Sequence, residues 1–192
     1  MADRASGPFT SIRRTPLRAK ALMCCIALFA GLAFPAGTAT AATGASSSVA
    51  SFGSGSIDLQ KGWGQAKACV VWHAGGVLEC FTSDAALAQA EAALTSAGVL
   101  PDVSTCGSAL NLYSGTDYTG LHLAMYDRGY WQELSAYGFA DTTKSFIGGA
   151  CGFHLANGSW GSGYWYPGNT GPYSYSPNLG SWNDTIQSVY IE

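Results

Sequence analysis

Four cysteines are the residues whose type and spacing most clearly predict a chemistry in this sequence. Six cysteines occur in the 192 residues, and Cys69, Cys80, Cys106 and Cys151 follow the first forty. An even number in an exported chain predicts two disulfides, for which three pairings exist. A zinc site is the alternative, but the sequence contains no CxxC pair of closely spaced ligands.

The spacing of the cysteines favours one pairing. The segment CVVWHAGGVLEC has the pattern of a β-hairpin that turns at residues 74–76, which places Cys69 opposite Cys80. Cys106 is then left to pair with Cys151. This second disulfide closes a longer loop, an effect worth about 4 kcal/mol on the chain-entropy estimate.

Three histidines are the candidates for acid–base chemistry. His73, His122 and His154 all lie in segments with strand-like alternation. No GxSxG or HExxH motif accompanies them. We therefore expect polar strand residues at these positions and predict that the protein is not an enzyme.

The first forty residues have the organisation of a secretory leader. A basic segment precedes the apolar run ALMCCIALFAGLAF, and small residues follow up to Ala39-Thr40-Ala41. This order predicts a signal peptide over residues 1–41 and a secreted, extracellular protein. The apolar run is too short, and too closely followed by small polar residues, to predict a membrane span.

Removal of such a leader leaves an acidic, aromatic-rich chain. Eleven acidic residues then face four basic ones, Lys61, Lys67, Arg128 and Lys144, which gives a net charge of −7. A surface of this charge repels phosphate backbones and anionic lipids, so we expect neither nucleic acid nor membrane as a partner. All six tryptophans and all ten tyrosines lie beyond residue 41, as is typical of a compact extracellular β-protein.

Two segments precede Cys106. Residues 42–57 are small and rich in Ser and Gly, which predicts a flexible arm. Residues 58–105 are predicted to form a hairpin-helix extension. The segment TSDAALAQAEAALTSAG predicts the helix, with Thr82 or Ser83 as its cap, Gly98 at its end and Pro101 beyond it.

A duplicated pattern begins after Cys106. A shift of 43 residues superposes Leu112 on Leu155, Gly120 on Gly163, Asp141 on Asp184, and Ser145 on Ser188. Two units with short alternating runs between turn residues predict antiparallel strands in a β-sandwich.

The stretch LYSGTDYTG sets two aromatic residues and a glycine at fixed spacing. Gly120 can adopt the positive φ that a tight fold of the hairpin needs. Tyr113 and Tyr118 can lay their rings over the bend, and the burial of each ring is worth roughly 2 kcal/mol. We expect these three residues to hold the corner of the first unit.

The spacing in this stretch resembles the signature of the βγ-crystallin Greek-key motif. That signature is an aromatic residue, any four residues, a second aromatic residue, any one residue and a glycine. Tyr113, Tyr118 and Gly120 match it in full. In the second unit Trp160 stands at the second aromatic position and Gly163 follows one residue late. The resemblance covers about residues 106–192. It implies a two-Greek-key sandwich for these residues and does not explain the part before Cys106. Together with the hairpin and helix expected there, we predict a mainly β fold of βγ-crystallin type with an N-terminal β-hairpin plus helix extension.

The closing half of this motif in microbial members reads N/D-N/D-x-x-S/T-S. Residues 183–188, NDTIQS, match at every defined position except the fifth, and residues 140–145, ADTTKS, match only at the second and sixth. In the family the fifth hydroxyl binds calcium, the second residue offers a carbonyl, and the sixth serine, here Ser145 or Ser188, braces the loop.

The resemblance implies at most one low-affinity calcium site and no required cofactor. Gln187 can supply an amide oxygen to one half-site, whereas Lys144 places an ammonium group where the other needs an oxygen. The candidate ligands are Asn183, Asp184, Gln187 and Asp141. The alternative is a structural role for Asp184 and Ser188.

Aromatic residues between Gly, Ser, Asn and Pro are the candidates for partner contact. Trp160, Tyr173 and Tyr175 lie in such a stretch. They are candidates because Tyr and Trp on such loops give contact area at small entropic cost. We expect Trp165 and Trp182 in the core.

We interpret the sequence as that of a secreted, non-catalytic, monomeric binding module. Secreted bacterial metalloproteinase inhibitors of the same fold resemble this chain, which implies an extracellular peptidase as its partner. The alternatives are a stability-type domain with weak or lost calcium binding and a glycan-binding module.

Overall fold

A computed structural model describes residues 48–100 and 106–192, and the predicted leader and residues 42–47 of the predicted arm lie outside the described ranges. Within these ranges the chain forms eleven strands and one α-helix. The strands are β1 (Val49–Phe52), β2 (Gly55–Asp58), β3 (Ala68–Trp72), β4 (Val77–Phe81), β5 (Leu110–Tyr113), β6 (His122–Met125), β7 (Trp131–Glu133), β8 (Ser145–Ile147), β9 (Phe153–Ala156), β10 (Tyr175–Ser176) and β11 (Ser188–Ile191). Helix α1 is Asp84–Ser96, and short 3-10 helices lie at Leu59–Lys61, His73–Gly75, Leu134–Tyr137, Ser159–Gly161 and Gly180–Trp182.

The strands form two sheets, and each repeated unit contributes its third strand to the sheet that contains strands of the other unit. Sheet A has the order β10-β8-β5-β6-β3-β4-β1-β2, and sheet B has the order β7-β11-β9. The third strand of the first unit, β7, pairs with β11 of the second, and the third strand of the second unit, β10, pairs with β8 of the first. The predicted mainly β, two-Greek-key sandwich is therefore confirmed.

The core lies between the sheets because successive side chains of a strand point to opposite faces, and the inward-facing side chains of both sheets are apolar. Leu112, Leu123 and Phe146 of sheet A are fully buried and belong to the same cluster as Leu155 and Val189 of sheet B. Removal of these side chains from water, at about 25 cal/mol per Å² of apolar surface, is the main force that holds the two layers together.

The flexible arm predicted for residues 42–57 is wrong where the structure describes it. Strands β1 and β2 form an antiparallel hairpin with Val49 opposite Asp58, and β1 also pairs in parallel with β4. The small Ser and Gly residues resemble a linker in sequence. Their backbone groups nevertheless complete the sheet edge, and Ala50 is fully buried beneath it.

The remainder of the extension continues sheet A. The predicted hairpin forms between β3 and β4, with Cys69 opposite Cys80, and β3 pairs in parallel with β6 of the first Greek-key unit. The extension therefore shares one sheet with the repeated units across the predicted boundary at residue 106. Both predicted disulfides, Cys69–Cys80 and Cys106–Cys151, are formed.

Helix α1 packs on the outer face of sheet A. Ser83 caps it by accepting a hydrogen bond at Oγ from the Ala86 N–H, 3.2 Å away. Leu87 is buried in a small cluster with Ala68, Val70, Ala109 and Ala124. Among the described residues, no helix has the length and apolar character needed to cross a membrane.

Candidate functional site

The two units fold their hairpins by the same hydrogen bonds, 43 residues apart. Ser145 Oγ donates to the Gly115 carbonyl and Ser188 Oγ donates to the Gly158 carbonyl, both at 2.6 Å. Gly120 has φ +85° and Gly163 has φ +75°, so both occupy the left-handed region that favours glycine. The repeat found in the sequence is thus a repeat of backbone geometry.

The first corner carries the pair of rings that its spacing predicts. The rings of Tyr113 and Tyr118 meet edge to face with centroids 5.8 Å apart, and Tyr113 also stacks on His122 at 4.4 Å. Burial raises the pKa of Tyr113 to about 12, and the nearby carboxylates of Asp84 and Glu91 add to the rise.

The second corner obtains its ring from the other unit. The positions 43 residues after Tyr113 and Tyr118 are Ala156 and Gly161, and a Cβ on Gly161 would fall within the ring of Trp131. Trp131 belongs to the first unit and lies in sheet B beside β11. Trp160, which stands at the second aromatic position of the motif, has an exposed side chain.

The two closing loops, residues 140–145 and 183–188, face each other. The Asp141 N–H donates to the Ile186 carbonyl at 2.8 Å, and the Asp184 N–H donates to the Thr143 carbonyl at 3.0 Å. Asp141 and Asp184 both adopt positive φ, +52° and +57°. The reciprocal bonds hold each loop against the other.

Each candidate metal ligand is engaged by another side chain or by the backbone. Lys144 Nζ lies 3.3 Å from Asp184 Oδ2, and Gln187 Nε2 lies 3.4 Å from Asp141 Oδ2. Asn183 Oδ1 accepts from the Leu179 N–H at 3.1 Å. The four predicted ligands therefore lie in two separate cross-loop pairs and one local turn.

These residues do not fit a calcium ion. Calcium requires six to eight oxygen ligands, and an ammonium group has no lone pair to offer. Thr143 Oγ1 is buried without a hydrogen-bond partner, but its counterpart in the other loop is Ile186. Within the described ranges, no group of three or more His, Cys, Asp or Glu side chains could hold a metal ion.

Four rings form a closed cluster, the ring cluster, on the outer face of sheet B. Trp131, Tyr190 and His154 lie in one row across β7, β11 and β9, and Trp165 contacts the two outer rings. The centroid distances are 5.5 Å for Trp131–Trp165, 4.8 Å for Trp165–His154, 6.1 Å for His154–Tyr190 and 5.7 Å for Tyr190–Trp131.

The expectation that Trp165 is a core residue is wrong. Its side chain is 51% exposed, whereas the ring of Tyr166 turns inward and meets Phe146 and Trp182 edge to face. Trp165 joins β9 only through an isolated bridge to Ala156, so strand alternation did not reveal which of the two rings faces the core. Trp182 packs against the core as expected.

The three predicted contact residues are exposed, but they lie on two surfaces. Trp160, Tyr173 and Tyr175 have exposed fractions of 68%, 69% and 70%. The Trp160 N–H donates to a carboxylate oxygen of Glu133 in sheet B. Tyr175 pairs with Ile147 at the edge of sheet A.

Every histidine is paired with a carboxylate, which the sequence did not reveal. The distances are 2.7 Å for His73 Nδ1 to Asp127 Oδ2, 2.8 Å for His122 Nδ1 to Asp84 Oδ1, and 3.3 Å for His154 Nε2 to Glu192 Oε1. The partners of His73 and His122 are 54 and 38 positions away, so no local motif could signal them. Both of these pairs join the extension to the first Greek-key unit.

Asp127 is the most deeply buried of these carboxylates. Burial opposes its ionisation, but hydrogen bonds from the His73 ring and from the N–H groups of His73 and Ala74 outweigh it and hold the pKa of Asp127 below its usual value. Burial lowers the pKa of His122, against the opposing effect of Asp84.

No family model and no curated protein matches the sequence. Among solved structures, a βγ-crystallin from Ciona intestinalis has a TM-score of 0.37 and 24% identity, and covers 44% of this chain and 99% of its own. The N-terminal domain of protein S has a TM-score of 0.38 and 16% identity, and covers 44% of this chain and 96% of its own.

A variant βγ-crystallin domain from Clostridium beijerinckii has a TM-score of 0.36 and 20% identity, and covers 43% of this chain and 95% of its own. These scores are low. The exchanged third strands and the two glycine corners are the features that characterise the fold. On that geometry the fold is βγ-crystallin-like.

Proposed function

We propose that this protein is a secreted, non-catalytic binding module that recognises an extracellular partner through exposed aromatic side chains. The observation that carries the proposal is the conformation of two of them. Trp160 and Tyr173 are exposed and have φ of +53° and +58°, a region that costs bulky residues of order 1–3 kcal/mol.

Within the described fold, neither side chain is buried in a contact that would offset this conformational energy. Hydrogen bonds secure their backbones, from the Trp160 N–H to Glu133 and from the Tyr173 N–H to the Gly149 carbonyl at 2.7 Å. The rings themselves project into solvent. Rigid, exposed Trp and Tyr residues are good anchors for a partner because little side-chain entropy is lost on contact.

Secretion is supported by the cysteines as well as by the leader pattern. The two disulfides are of the kind that persists in oxidising compartments outside the cytosol. Removal of residues 1–41 would leave an acidic surface suited to a neutral or basic partner.

Extracellular peptidases are the first partner class to test. The wild-type protein is expected to inhibit a thermolysin-like or a subtilisin-like protease. A Trp160→Ser/Tyr173→Ser/Tyr175→Ser variant should lose at least about tenfold in potency, because anchors of this kind are worth more than 1 kcal/mol each. Tyr130→Ser, which removes another exposed ring, is the matched control. A wild-type protein inactive against both classes would exclude this partner.

A glycan is the second candidate, and the ring cluster favours it. Flat, partly exposed rings can stack on the apolar faces of sugars, and the Glu133 and Glu192 carboxylates beside them can accept hydrogen bonds from hydroxyl groups. Trp165→Ala should then abolish retention on polysaccharide without loss of protease inhibition. Retention that is equal for wild type and variant would contradict the glycan candidate.

A further inference from the structure

The closing loops contain two cross-loop contacts related by the 43-residue repeat. The fifth residue of each loop reaches the carboxylate of the second residue in the other loop. Lys144 contacts Asp184 at 3.3 Å, and Gln187 contacts Asp141 at 3.4 Å. Two unrelated side chains thus perform the same task at equivalent places.

The chemistry of these two side chains is that of a donor. Lys144 brings a positive charge and three N–H donors, and the Gln187 amide group presents its N–H donors to Asp141. Each therefore gives the carboxylate of the other loop a hydrogen-bonding partner within the chain. The first loop also begins with Ala140, which has no side-chain oxygen.

The backbone around both contacts is held by hydrogen bonds within the chain. The reciprocal N–H bonds of Asp141 and Asp184 and the serine bonds of Ser145 and Ser188 are all made within the chain. Both loops are consequently closed by hydrogen bonds between protein atoms.

We propose that Lys144 and Gln187 are internal replacements for calcium. Lys144 neutralises Asp184 and Gln187 satisfies Asp141, so the loops keep their geometry without a metal. The capacity to bind calcium is blocked at the fifth position of each loop, and a hydroxyl-bearing side chain at that position opens the corresponding site. This inference is independent of the proposed binding function, since it involves none of the exposed aromatic residues.

The test compares calcium titration and melting for four forms of the full chain. Wild type should give no saturable heat with millimolar CaCl₂ and the same Tm in CaCl₂ and EDTA. Lys144→Thr/Gln187→Ser should bind calcium and gain about 5 °C in Tm at calcium well above its Kd. Lys144→Met/Gln187→Leu removes the donors but adds no oxygen, and should bind none.

The single variant Lys144→Thr separates the two loops and should recover calcium binding at one of them. Saturable calcium binding by the wild type would overturn the proposal, whether or not any variant folds. A folded double variant that binds no calcium would overturn it as well. Calcium binding by Lys144→Met/Gln187→Leu would show that oxygen at the fifth position is not the determinant.

Discussion

The outer faces of the two sheets are covered in different ways. On sheet A the face consists of small side chains such as Ala68, Val70 and Ala124, and helix α1 lies over it with Leu87 buried at the contact. On sheet B the face carries the ring cluster, and the α-helix of the described ranges does not pack on it; the short 3-10 helix Ser159–Gly161 contacts the strands of this sheet instead. Small side chains leave room for a helix, whereas large rings shield the sheet themselves and remain accessible to a partner.

Helix α1 and the ring cluster are also held on their sheets by different kinds of contact. Helix α1 is fastened to β6 and the residue that follows it by polar pairs, Asp84 with His122 and Glu91 with the Tyr126 hydroxyl at 2.9 Å. The ring cluster is held by ring contacts and by the fit of Trp131 over Gly161. The cover of sheet A is thus an added element, while that of sheet B belongs to the repeated units.

Deletion of residues 48–105 tests whether the added cover is essential, and it should have the largest effect. It leaves β6 as an unpaired edge and exposes the small side chains beneath α1. We expect the truncated chain to aggregate or to lose cooperative unfolding, as measured by circular dichroism and size-exclusion chromatography. A monomer with an unchanged Tm would show that the two Greek-key units need no cover.

Gly161→Ala tests the fit of the ring cluster. The new Cβ would displace the Trp131 ring and would sit at φ +76°, so we expect a loss of about 3 kcal/mol in the free energy of unfolding. Gly129→Ala is the control, because its φ of +82° is similar but its Cβ would meet open space, and it should cost about 1 kcal/mol. Urea unfolding of both variants measures the difference. Equal losses of unfolding free energy in the two variants would mean that the Trp131 ring can move aside without a measurable energetic cost.

Leu87→Ala and Trp165→Ala compare the two covers directly. The fully buried Leu87 should cost about 2–4 kcal/mol, since a cavity forms between helix and sheet. Trp165, which is 51% exposed, should cost about 1 kcal/mol. Thermal unfolding measures both. A larger loss for Trp165 would make the ring cluster primarily structural and would weaken its candidacy as a binding surface.

Asp127→Asn tests the contact between the extension and the loop after β6, and it should lower the free energy of unfolding by about 1–2 kcal/mol at pH 7. The pKa of Asp127 is lower in the folded state than in the unfolded state, so its stabilisation is present above the ordinary value of 3.8 and is lost as the pH falls through the folded pKa. The wild-type advantage should therefore vanish in acid. A difference that persists unchanged at pH 2 would contradict the assignment.

The features that the sequence predicted are those with local or repeated signals. Gly120 and Gly163 could be predicted because a tight bend requires positive φ at a fixed spacing. The Cys69–Cys80 pairing followed from the turn between the two residues. The capping chemistry of Thr82 or Ser83 marked the start of α1, and Ser83 is the residue that caps it.

The features that the sequence did not predict depend on distant or substituted partners. The pairing of β3 with β6 has no local signal, because parallel neighbours are set by packing. The arm was misread because Ser and Gly pair through their backbone as readily as they form linkers. The ring of the second corner escaped detection because Trp131 comes from the other unit.

The parallel partnership of β3 and β6 has a consequence for the order of assembly. In a chain that emerges N-terminus first, β3 and its hairpin partner β4 are available well before β6 has been delivered. Cys69 and Cys80 can join at once, since they face each other within that hairpin. Until β6 arrives, the flank of β3 that will pair with it is an unpaired strand edge, which a chaperone or another nascent copy can capture.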